Sequence, residues 1–60
     1  MRANPAENEQ KLFLVADGQG GYFTAKQARS TGYYNRLQSY HAEKGHWLAI
    51  DRGVYRLRNY

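Results

Sequence analysis

From Tyr34 to Ser39 the chain reads Tyr-Asn-Arg-Leu-Gln-Ser. Most of these side chains carry groups that recognise the edges of nucleic-acid bases. Asparagine and glutamine amides pair with adenine, and an arginine fork pairs with guanine N7 and O6. Asn35, Arg36 and Gln38 are therefore the candidate base readers. Tyr34 can touch a phosphate or a thymine methyl, and Ser39 can touch the backbone beside it. The same side chains would also suit the polar outer face of any amphipathic helix, so the elements that hold them must decide.

Thr24-Ala-Lys-Gln is a capping box, with Gln27 placed to reach back to the Thr24 backbone. The spacing predicts a short helix from there to Arg29 or Ser30, a turn at Ser30-Thr31-Gly32, and a further helix from Tyr33 to Lys44. That outline is a helix-turn-helix. Tyr33, Leu37, Tyr40 and Lys44 fall on one stripe at helical spacing and are the expected core face. Tyr34, Asn35, Gln38, His41 and Ala42 then lie largely on the other side. An earlier helix is expected over Ala6 to Ala16, capped by Asn4 and ended by Gly18 in a left-handed C′ conformation. Tyr22-Phe23 is a short extended stub.

Beyond Lys44-Gly45 the pattern changes to period two. Leu48, Ile50, Tyr55 and Leu57 are expected inside, with Trp47, Arg56 and Arg58 outside. Arg52-Gly53 forms the tip of a hairpin. A lone two-stranded hairpin is unstable in water, so it must pack on the helices. The fold class is mostly α with a small β-hairpin: a winged helix-turn-helix of three helices and a two- or three-stranded wing. Thr24 and Lys26, opening the second helix, and Arg52, at the wing tip, join the candidate contacts to DNA phosphate.

Composition agrees with this reading and removes others. Sixty residues suit one small domain, residues 1–60, near the lower limit for independent folding. There are no cysteines for a disulfide or thiolate zinc site. The net charge is +4, and the second half carries the greater share together with five of the six tyrosines. Positive charge interleaved with aromatic side chains suits a phosphate backbone. No apolar run approaches the length of a membrane span, and the N-terminus lacks a secretory apolar core, so the cytoplasm is the expected compartment. The carboxylates are scattered, and no nucleophile–base pair or phosphate-cradling glycine loop is present. His41 and His46 lack the companions of a zinc site. No enzyme, metal, cofactor or small-molecule substrate is expected.

The segment from Gly20 to Leu57, and the ending Arg52-Gly53-Val54-Tyr55-Arg56-Leu57 above all, resembles the N-terminal winged helix-turn-helix of AbiEi-type antitoxins. These are type IV toxin–antitoxin regulators. Gly21, Thr24 and Ala28 match the family's first segment, Gly32 its turn, and Leu37 and Tyr40 its recognition-helix core. The resemblance spans residues 10–60. It implies a repressor of its own operon that binds inverted repeats in double-stranded DNA, through a weak homodimer or paired binding. The family's larger C-terminal antitoxin domain has no counterpart in this sequence, which the resemblance reads as an excised domain or a stand-alone regulator. Two other readings stay open. One is a protein-interaction module presenting Tyr34, Trp47 and Tyr60. The other is a binder of structured RNA.

Overall fold

The computed structural model describes residues 5–60, with the side chains described from Glu7 onward. The elements are α1 (Pro5–Asp17), β1 (Tyr22–Thr24), α2 (Ala25–Ser30), α3 (Asn35–Glu43), β2 (Trp47–Asp51) and β3 (Val54–Leu57). The strands form one antiparallel sheet in the order β1-β3-β2. The expected winged helix is therefore present, with the Tyr22-Phe23 stub supplying the third strand. The proposed Asn4 cap lies outside the described residues.

Local chemistry sets the helix boundaries. The capping box is complete: Thr24 Oγ1 accepts from Gln27 N–H at 3.0 Å, and Gln27 Oε1 accepts from Thr24 N–H at 2.9 Å. Gln27 also exchanges amide hydrogen bonds with Gln19, tying the α1–β1 link to α2. α1 ends later than expected. The left-handed residue is Gly20 (φ 71°), not Gly18, and Gly21 N–H donates to Ala16 C=O at 2.7 Å. This is a Schellman closure displaced by one short turn. α2 closes the same way, with Tyr33 N–H donating to Ala28 C=O at 2.9 Å across Gly32 (φ 104°).

That second closure delays α3. Tyr33 is used up in the turn, and Tyr34 is an extended N-cap whose side chain makes no cap hydrogen bond. The helix begins at Asn35 rather than Tyr33, so Tyr33 does not share its phase. Of the expected core stripe, Tyr33 is buried from its place in the turn, but the residues within α3 are not. Leu37 and Tyr40 are 42% and 48% exposed, while Gln38 is only 4% exposed. The inward face of α3 is Gln38, His41 and Ala42.

The wing also differs in parity. An unbulged hairpin would set Ile50 opposite Tyr55 and Leu48 opposite Leu57. Instead the register shifts between Ala49 and Asp51, giving Ala49↔Tyr55, Leu48↔Arg56 and Trp47↔Leu57. One extra residue in β2 turns every side chain before it to the other face. Trp47 is thereby buried at 5% exposure, while Leu48 and Ile50 face out. Tyr55 and Leu57 pack on the core as expected. The core is Leu12, Ala16, Phe23, Ala28, Tyr33 and Trp47. Trp47 meets Phe23 edge-on at 4.8 Å between centroids and contacts Tyr33 and Tyr55 at 5.3 Å each. With Trp47 inside, it cannot serve the partner surface that the interaction-module reading requires.

Gly32 carries the tightest constraint in the helix-turn-helix. A Cβ there would stand 2.5 Å from Asn8 Nδ2, in a conformation that L-residues rarely adopt. Gly32→Ala should lower stability by about 1–3 kcal/mol, measured as the shift of the urea midpoint at constant slope.

Candidate nucleic-acid interface

Polar bonds join α2 to α3. The buried Gln38 Nε2 donates to Tyr33 C=O at 2.7 Å and to Ala25 C=O at 3.1 Å. One amide thus binds the start of α2 to the turn and to α3. Gln38, expected to read adenine, is held inside by these bonds and is no part of the exposed surface. Its position fixes the rotation of α3 about its own axis. At about 100° per residue, Arg36, Tyr40 and Glu43 fall within about 60° of one another, opposite Gln38. All three are exposed, and with Asn35 and Ser39 they line one shallow surface depression.

The remaining expected contacts lie as follows. Tyr34 is exposed at the N-cap of α3. Asn35 is exposed, but its Oδ1 accepts from Arg29 Nη2 at 2.9 Å, which competes with a two-edge pairing to adenine. Thr24 Oγ1 is engaged as the cap of α2. Lys26 and Arg52 are exposed. The wing tip is anchored, because Gly53 C=O accepts from Ala25 N–H at 2.8 Å. Arg52 is therefore held at the start of α2, one residue before Lys26, and its own N–H donates to Asp51 Oδ1 at 2.7 Å. Arg56 lies over the Tyr22 ring, 5.9 Å from its centroid. Arg58 donates to Gly45 C=O at 3.3 Å.

Sequence reasoning missed Arg29, Tyr40 and Glu43. The usable signal was the length of a Schellman closure. It consumes two residues after the helix and so removes Tyr33 from the α3 stripe, while the outward turn of Tyr40 follows from the burial of Gln38 on the opposite face.

Behind α3, the helix closure at Gly45 brings two imidazoles together. His46 N–H donates to His41 C=O at 2.9 Å, and the two Nδ1 atoms lie 2.9 Å apart. One ring must donate and the other accept. His41 also stacks on Trp47 at 5.0 Å. Burial, then the neighbouring His46, hold the His41 imidazole below its ordinary value, against the opposing influence of Glu9. Both rings border an open cleft of 730 Å³ between α1, the end of α3 and the sheet. Among the described residues, no group of three or more His, Cys, Asp or Glu side chains could hold a metal ion.

Three helices, a capped turn between α2 and α3, and a sheet hairpin bonded to the start of α2 define a winged helix-turn-helix. A family model described as transcriptional regulator, AbiEi antitoxin, matches residues 10–58. The chain belongs to that family of transcriptional regulators. Neither a curated protein nor a solved structure matches the sequence significantly. No helix among the described residues is long and apolar enough to cross a membrane.

Two outcomes are expected. Gln38→Met keeps the volume but removes both donated bonds, and should cost about 1–3 kcal/mol in urea unfolding. A histidine whose folded value is depressed stabilises fully above its unfolded value, near 6.5, and loses that stability as pH falls below it. Thermal stability should therefore decline below about pH 6.5, and His41→Gln should flatten that decline.

Proposed function

We propose that this protein binds double-stranded operator DNA as a sequence-specific repressor, with α3 in the major groove and the Arg52 wing against the backbone. The observation that carries the reading is the exposed row on α3, fixed in rotation by Gln38, within a fold whose hairpin tip is bonded to the helix-turn-helix. In this docking mode the second helix of the motif meets the base edges. Arg36 is the principal base reader through guanine N7 and O6. Tyr40 takes the place first assigned to Gln38 and supplies an apolar ring edge for a thymine methyl. Asn35 contributes its free amide hydrogens, while Arg29, held to it, serves a neighbouring phosphate. Tyr34, Ser39, Lys26 and Arg52 contact the backbone, and Thr24 acts by holding the start of α2.

The family's regulatory role supports DNA as the partner. The few cations make a single copy weak at physiological salt. Two copies on an inverted repeat would supply the missing affinity by adding phosphate contacts. Residues 1–60 act in this reading as one DNA-binding domain working in the cytoplasm.

Arg36→Ala should weaken binding to a selected site by about tenfold or more and leave random duplex nearly unaffected. Arg52→Ala should weaken both equally and lower the slope of log K against log salt by about one. Fluorescence anisotropy at two salt concentrations reads both effects. Equal losses on both duplexes for Arg36→Ala would remove it from the base-reading role, and no duplex binding at low salt would refute the DNA assignment.

A further inference from the structure

The exposed row on α3 ends in an acid. Glu43 is the last residue of the helix and shares the depression with Arg36 and Tyr40. A carboxylate is an unexpected occupant of a surface that approaches phosphates. It lowers attraction to every duplex alike, so its presence calls for a compensating contact. The neighbouring cation does not supply one: Lys44 turns its ammonium over the Tyr40 ring, 5.8 Å from the centroid.

Resting on the DNA reading above, we propose that Glu43 is a specificity-determining residue that accepts a hydrogen bond from a cytosine N4 amino group. The chemistry follows from the groove code. An ionised carboxylate can only accept. Guanine presents two acceptors in the major groove and thymine presents O4 beside a methyl, so both oppose it. Adenine offers N6–H but sets the N7 acceptor next to it, whereas cytosine offers a donor without that neighbour.

Spacing fixes where this cytosine falls. Arg36 and Glu43 lie on one arc of the helix, seven residues apart, which is about 10.5 Å of helix rise. Base pairs stack at about 3.4 Å, and a recognition helix lies obliquely in the groove, so the two side chains are about two to three base steps apart. The half-site should therefore carry a guanine read by Arg36 and a cytosine read by Glu43 about two to three steps away, with Tyr40 over the bases between. The acid also works against incorrect sites, because an unmatched carboxylate meets an acceptor or a phosphate and repels it.

The test is selection of bound sites from a random duplex pool with the full chain as wild type, Glu43→Gln, Glu43→Ala and Arg36→Lys. Anisotropy on the recovered site and on its single-base variants follows. Circular dichroism confirms that each variant is folded. Wild type should prefer cytosine at one position by about five- to tenfold. Glu43→Gln should move that preference toward adenine, and Glu43→Ala should level it. Both should leave intact the guanine about two to three steps away, which Arg36→Lys alone alters. Identical base preferences in wild type and both Glu43 variants, with only overall affinity raised, would overturn the proposal and reduce Glu43 to a phosphate repellent. A change at a position adjacent to the Arg36 guanine would overturn the spacing. If wild-type protein enriches no site, the DNA reading fails and this proposal with it.

Discussion

The burial of Trp47 is the constraint on which the structure turns. Its indole touches β1 through Phe23, the helix-turn-helix corner through Tyr33, α3 through His41 and β3 through Tyr55. So small a chain has few aliphatic side chains to spend on a core. One large ring reaching four elements replaces several aliphatic contacts, with tilted and edge-on pairs adding to the area it buries. The bulge in β2 is the backbone adjustment that admits it. Leaving Leu48 and Ile50 in solvent is the cost, and it is offset by closing the sheet, the turn and α3 around a single side chain.

The second organising contact is polar. Gln38 stands where an apolar residue would ordinarily join two helices, and its amide satisfies two carbonyls that water cannot easily reach. A buried amide of this kind is directional. It accepts one rotation of α3 where a leucine would tolerate several. The exposed row of Arg36, Tyr40 and Glu43 is thus a consequence of what the opposite face of the same helix must do.

The parts of the fold visible in the sequence were those determined by near neighbours. Thr24 and Gln27 act within one helical turn, so their capping box could be read directly. Gly32 and the Arg52-Gly53 tip were visible for the same reason, and the resemblance to AbiEi-type regulators rested largely on that tip. What escaped notice was set at long range. Hydropathy favours burying Leu48 and Ile50, and only the fit of Trp47 among Phe23, Tyr33 and Tyr55 selects the bulged register. Gln38 looks like a surface residue until the carbonyl of Ala25 is brought across to it. Of the candidate site, Tyr34, Asn35, Arg36, Ser39, Lys26 and Arg52 are exposed as expected, while Gln38 and Tyr40 exchanged faces because the Gln38 amide is held inside by the carbonyls of Tyr33 and Ala25.

The sheet order has a kinetic consequence. β1 sits between α1 and α2 in sequence, yet among the described residues it pairs with β3 alone, at the far end of the described chain. The first strand therefore stays unpaired until the last has formed. Non-local pairing of this kind slows folding relative to a helical bundle of equal size. During synthesis the helix-turn-helix would emerge with its supporting strand unmatched, and the domain would close in one late step when β3 arrives.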